Sequence, residues 1–319
     1  MGNNNENNEN IENIIGDRYE IISQLGSGSY GEVYKGIDKE FDKEFDKGDE
    51  NKNDHKTKNY VALKVEKIKN GKKIKLQREY SIYKCLLKNA VTCVPNVHRC
   101  FISDQNNCFL IMEMLGENLD YIFKANNKSF DLSTIFKIGI DLFQMIEQIH
   151  ICGFIHRDIK PSNLATGVND KNKIYMIDFG FSKKYVDKGK HLNLNFDKDF
   201  VGTLKYMSIN MHLHYEQSRR DDIESICYVL LYFLLGELPW QNSSTKGKNR
   251  DEEIKNIKMT SNFLELCSGK PKCFEKILIY ARKLSFFDAP DYTKIIKLIK
   301  DDAKIYKINP QYNWNIEDK

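Results

Sequence analysis

A chain of 319 residues, 41% hydrophobic and 29% charged, carries enough apolar material for one large core or two smaller ones. Its 49 basic and 45 acidic residues leave a net charge of +4, which argues against a wholesale nucleic-acid binder and confines any basic function to a patch. The longest apolar run, CYVLLYFLLG from Cys227, is about ten residues and too short for a membrane span, and the eight cysteines form no CxxC pair, so reduced thiols in a cytoplasmic protein are expected.

Residues 1–16 are Asn- and Glu-rich and read as a disordered tail. No apolar leader opens the chain, and Glu6 stands where an N-myristoylation motif wants Ser or Thr, so Gly2 is not expected to carry a lipid. RYEIISQLG and GEVYKGI read as strands flanking a glycine cluster. The stretch 38–58, with its DKEFDKEFDK echo, reads as a solvated charged loop inserted between strands. YVALKVE alternates strictly, with Val61, Leu63 and Val65 on one face and Ala62, Lys64 and Glu66 on the other. QREYSIYKCLL then predicts a helix and CFLIMEML a buried strand. After Gly116 the pattern turns helical: DLSTIFKIGIDLFQMIEQIH has apolar residues at mostly helical spacing behind a candidate N-cap, Asp131, and 222–235 and 273–284 follow suit. The expected organisation is a β-rich part over 17–115 and an α-rich part over 116–319, with a ligand cleft expected near the joint.

LGSGSYGEVY places Gly26, Gly28 and Gly31 in a GxGxxG pattern. Dinucleotide binding needs a helix straight after the glycines, and the strand-like EVYKGI follows instead. A glycine hairpin can lay its N–H groups over phosphates, although alone the pattern favours an ordinary flexible turn. VALK adds weight to the phosphate reading: Ala62 can roof a flat base while Lys64, on the same strand face, reaches phosphate oxygens. Glu79 in the next helix offers Lys64 a partner. In FIHRDIKPSN, Asp158 and Asn163 bracket Lys160, and IYMIDFG ends in Asp178–Phe179–Gly180. Carboxylate, amide and carboxylate make a hard-oxygen set suited to Mg2+. Asp158 is the candidate acceptor for a hydroxyl proton, and Lys160 the cation that neutralises a transferring phosphoryl group. Five such elements in this order are highly specific.

From about Tyr19 to about Ile299 the chain resembles a eukaryotic protein kinase. The activation segment ends in Ser208–Ile209–Asn210, where kinases usually have Ala-Pro-Glu. With EQSRRDDIES, LPWQ and FDAPDY, this resembles the casein kinase I family, while KPSNLATG leans toward its tau-tubulin kinase branch. The resemblance implies an α+β, bilobal kinase fold with a small β-rich N-lobe and a larger helical C-lobe, binding ATP and Mg2+ between them. It implies that Lys64, paired with Glu79, contacts phosphates, that Asp158 is the catalytic base, and that Asn163 and Asp178 hold metal. Met112 would be the gatekeeper, Glu113 to Leu115 the hinge, and Leu25 and Val33 would enclose the adenine. Arg157 and Asp222 would be structural, Asp222 anchoring the catalytic loop's backbone.

The chain departs from the family in the 38–58 insert, in Cys227 for the usual Gly, and in Lys205 for the usual Arg. None removes a catalytic group, so an active Ser/Thr kinase is expected over a kinase-fold scaffold or a small-molecule kinase. Between Lys183 and Gly202 Tyr185 is the only hydroxyl residue, which predicts activity without activation-segment phosphorylation. Lys198 and Lys205, with Lys246, Lys248 and Arg250 more loosely, correspond to an anion site favouring protein substrates with acidic or phosphorylated segments, against a solvated basic face. A monomer in the cytoplasm, with nuclear access, completes the expectation.

Overall fold

The computed structural model describes residues 14–28, 31–40, 59–68, 73–241 and 247–314. Most of the tail, residues 41–58 of the insert, the glycine-hairpin tip and Lys246 lie outside them. The described residues form two compact units, one within Met1–Lys84 and Pro95–Met114, the other within Cys85–Val94 and Leu115–Lys319. The chain passes between them one residue before the expected joint. Cys85–Val94 joins the second unit because the Cys93 carbonyl accepts from the Met176 amide at 2.8 Å and its thiol reaches the Met145 carbonyl.

The first unit is an antiparallel sheet ordered β1-β2-β3-β4-β6-β5, from β1 (Ile14–Ile15), β2 (Tyr19–Gly28), β3 (Gly31–Asp38), β4 (Tyr60–Lys67), β5 (Val97–Ile102) and β6 (Asn107–Glu113). Helix α1 (Lys75–Lys88) follows β4. The alternation in β4 sends Val61, Leu63 and Val65 into a core with Ile15, Tyr19, Phe109 and Ile111. Two expectations are corrected. Ile14 and Ile15, assigned to the tail, pair with Glu20 and Tyr19; Ile15 is 5% exposed in the sheet's core while Ile14 stays 43% exposed, so one buried isoleucine and the strand pairing order the end of a polar stretch. Asp38, assigned to the insert, ends β3, where Arg18 holds its carboxylate with two hydrogen bonds of 2.6 and 2.7 Å.

The second unit is helical: α2 (Leu119–Ala125), α3 (Leu132–Ile151), α4 (Ile209–His212), α5 (Arg219–Leu235), α6 (Lys248–Thr260), α7 (Phe263–Leu266), α8 (Lys272–Lys283) and α9 (Tyr292–Ile305). Asp131 caps α3 by accepting from the Thr134 amide, as its side chain predicts. Helix α5 is buried without interruption from Asp221 to Phe233 and packs against α3 and α8, while α9 covers both of these. Cys227 lies inside that buried run. Short strands carry the loops of interest: β7 (Phe154–Ile155), β8 (Leu164–Thr166), β9 (Ile174–Met176) and β10 (Lys183–Lys184), followed by the hairpin β11 (Val186–Asp187) and β12 (Lys190–His191). No helix among the described residues is long and apolar enough to cross a membrane.

Candidate active site

In the first unit, strand register brings the predicted nucleotide residues onto one face. Gly26 pairs with Val33, Val33 with Lys64, and Ala62 with Met112. Directly opposed antiparallel residues share a face, so Gly26, Val33, Lys64, Ala62 and Met112 lie opposite the core residues Val61, Leu63 and Val65. Leu25 is the extra residue of a bulge between Gln24 and Gly26 and remains 48% exposed. Gly28 pairs with Gly31 at the hairpin's closed end, where the chain turns. Because a strand follows the glycines, the dinucleotide arrangement is excluded. Gly31 has φ +141°, and a Cβ there would lie 1.8 Å from the Val65 carbonyl oxygen, so only glycine lets β3 approach β4.

The Lys64 ammonium bonds both Glu79 carboxylate oxygens, at 3.0 and 2.8 Å. With side chains 13% and 1% exposed, this pair is held away from water at a desolvation cost that structure alone rarely justifies. Glu113 commits its side chain to Asn96, accepting from the Asn96 amide at 3.0 Å and the side-chain nitrogen at 3.1 Å. Leu115, half-buried, belongs to the second unit.

In the second unit the loop after β7 turns sharply at Arg157, whose φ of 70° is unusual for a non-glycine residue. Asp222, at the start of α5, holds that turn. Its carboxylate accepts from the amides of His156 at 2.7 Å and Arg157 at 2.9 Å, and from His150 Nε2 at 2.9 Å. Burial pushes the His150 imidazole below its ordinary pKa, so the ring is neutral, donates from Nε2 and accepts the Tyr292 hydroxyl at Nδ1. Burial alone would raise Asp222, but the hydrogen bonds it accepts from His150 and the Arg157 amide outweigh it and hold the carboxyl below its usual range.

The turn delivers Asp158, 3% exposed, into a polar cluster. One carboxylate oxygen accepts from Lys160 Nζ at 2.7 Å and Asn163 Nδ2 at 3.2 Å, the other from the Thr203 hydroxyl at 2.7 Å. Lys160 also donates to the Thr203 oxygen at 3.2 Å. Thr203 is the residue that motif reading missed: it lies 45 positions from Asp158, and no local pattern marks it. Gly202, with φ +104°, makes the approach possible, since a Cβ there would meet the Arg157 carbonyl at 2.6 Å.

Asn163 and Asp178 sit at the same end of the β8–β9 hairpin. Leu164 pairs with Met176, and the Ile177 amide donates to the Asn163 carbonyl at 3.0 Å. Asp178 follows in a left-handed conformation, φ 65° and ψ 70°, a strained geometry of the kind found at functional sites. His156 and Arg157 brace this end through Nε2 to the Ile177 carbonyl and Nε to the Phe181 carbonyl. The donor set fits a divalent cation. Asn163 spends its amide nitrogen on the Asp158 carbonyl and carboxylate, which leaves its oxygen as the remaining pole beside the Asp178 carboxylate's end of the hairpin.

Of the predicted anion-site lysines, Lys198 and Lys205 have described side chains, and these face different partners. Lys198 pairs with Glu216 at 3.4 Å, a buried carboxylate that Lys183 also holds at 2.9 Å. The Lys205 ammonium lies 3.5 Å from the centre of the Tyr232 ring, and burial pulls its pKa down to about 8. Lys248 starts α6, and Arg250 is exposed in its first turn. Tyr185, the one hydroxyl residue between Lys183 and Gly202, is buried and donates to the His150 carbonyl at 2.7 Å.

A comparison with protein-family models matches residues 19–297 to the protein kinase domain.

Proposed function

Since the chain belongs to the protein kinase family, we propose that it transfers the γ-phosphate of ATP to Ser or Thr hydroxyls of proteins, and that it is of the casein kinase I type. The cluster of Asp158, Lys160, Asn163 and Thr203 carries this reading, because it gathers a base, a cation and a metal-facing amide in one place. Lys64, fixed by Glu79, holds the nucleotide's phosphates, and the sheet face of Val33, Ala62 and Met112 holds its base. Asp158 accepts the acceptor's hydroxyl proton as its oxygen bonds to the γ-phosphorus and the bond to the β-phosphate oxygen breaks, releasing ADP. Lys160 offsets the charge on the transferring group. Asn163 and Asp178 would hold Mg2+, which neutralises phosphate charge when bound.

The subfamily rests on motifs that turn out to be mutual partners. The Ser208 hydroxyl and Asn210 amide both donate to Asp221 of the SRRDD run, at 2.7 and 3.0 Å. Activity without activation-segment phosphorylation is supported by the buried Tyr185 hydroxyl and by Glu216, a resident carboxylate that already serves Lys183 and Lys198. A preference for acidic acceptors rests on Lys198 and Lys205.

The test is incubation of the bacterially expressed chain with radiolabelled ATP and casein, followed by phosphoamino-acid analysis, and by peptides with and without acidic residues upstream of one serine. Phosphoserine in casein and faster turnover of acidic peptides are expected. Phosphotyrosine as the sole product, or a dependence on prior phosphorylation by another kinase, would overturn the assignment. Nucleotide binding with no transfer would make the chain a kinase-fold binding protein.

A further inference from the structure

Lys258, in the last turn of α6, is completely buried. Its ammonium donates to the carbonyls of Leu204 and Met207, each at 2.7 Å, and faces His212 Nε2 at 3.1 Å. The rings of Tyr228 and Trp240 flank it at 4.9 and 5.4 Å. Burial pulls its pKa down to about 7, even with Glu224 nearby. An apolar side chain of similar length would fill this space at lower desolvation cost, so the amine is retained for what it holds.

What it holds is the backbone just past Thr203, the residue bridging Asp158 and Lys160. The amides of Tyr206 and Met207 fold back onto the Thr203 carbonyl at 2.8 and 2.9 Å. Trp240 Nε1 donates to the Lys205 carbonyl at 2.8 Å. The carbonyls of 204, 205 and 207 are therefore all fixed by side chains from beneath the turn. Lys258 is itself braced: its carbonyl accepts from Arg282 at 3.0 Å, and Arg282 reaches the Tyr228 hydroxyl at 2.8 Å and Glu224 at 3.4 Å. This network holds the backbone immediately before Ser208–Ile209–Asn210, the triplet that stands in place of Ala-Pro-Glu.

We propose that Lys258, assisted by Trp240, is a positioning residue for the protein acceptor. It fixes the 204–207 turn alongside which the acceptor chain must lie when its hydroxyl reaches Asp158. The inference rests on the chain acting as a protein kinase and deepens that reading.

The test uses Lys258→Met, which keeps length and apolar packing, and Trp240→Phe, which keeps a ring and removes one hydrogen bond. Both are made in the full chain, with casein as the probe acceptor. The KM for casein is expected to rise about tenfold in Lys258→Met and about threefold in Trp240→Phe, with kcat and the KM for ATP within about twofold of wild type. Amide hydrogen exchange across 203–207 is expected to accelerate in both. Unchanged exchange there, or a loss of kcat with the casein KM intact, would overturn the proposal. A uniform loss toward ATP and casein would reduce Lys258 to a stability role. If Lys258→Met does not fold, Trp240→Phe decides by the same readings. If the wild type binds ATP but leaves casein unmodified, the functional reading fails, and exchange alone decides the positioning.

Discussion

Asparagine in place of Asp158 lowers the kcat for casein phosphorylation by about 10³-fold while the KM for ATP stays within about twofold. The substitution preserves shape, so the buried pocket remains filled. It removes the group that takes the acceptor's proton, a contribution of about 10²–10⁴ in general-base catalysis. It also disturbs the cluster, because Lys160, Asn163 and Thr203 all donate to the present carboxylate. An amide NH2 in place of one oxygen sets a donor against at least one of these donors. Initial rates at saturating ATP, with a melting curve to confirm folding, measure the effect. A loss of less than about tenfold would mean that another group removes the proton.

Asp222→Asn is expected to cost about 3 kcal/mol of stability and to lower kcat as well. The native carboxylate satisfies two backbone amides and the His150 ring, all out of water. Asparagine keeps one oxygen, so at least one of these three buried donors loses its acceptor. The Arg157 turn, held at φ 70°, then loses the restraint that keeps it. The pH dependence follows from the direction of the shift. The folded carboxyl sits below its ordinary pKa, so its stabilisation is complete above the unfolded value and is lost as pH falls through the depressed one. Denaturant melts of wild type and variant should differ by a constant amount from about pH 5 to 8 and converge in acid. Equal stability at pH 7 would show that the anchor does not carry the loop.

Features with a local signature were legible in the sequence. The alternation of YVALKVE foretold both faces of β4, because a half-buried strand must alternate. Asp131 announced its cap, and the spacing of Asp158 and Asn163 survived folding because one loop holds both. Features made by distant partners were not legible. Thr203 bonds across 45 positions and Lys258 across 51 and 54, and nothing in their neighbours marks either. Ile14 and Ile15 vanished into the average of a polar tail, though strand pairing with the burial of Ile15 alone extended the sheet. The partners of Lys198 and Lys205, a buried carboxylate for one and an aromatic ring for the other, are likewise distant in sequence and unmarked by it.

Calorimetric titration of the full chain with ATP, with and without Mg2+, bears most directly on the roles given to Lys64, Asn163 and Asp178. One-site binding that Mg2+ strengthens is predicted, weakened about tenfold or more in Lys64→Met, with the Mg2+ enhancement lost in Asp178→Asn. ATP affinity indifferent to Mg2+ and to both substitutions would contradict the account.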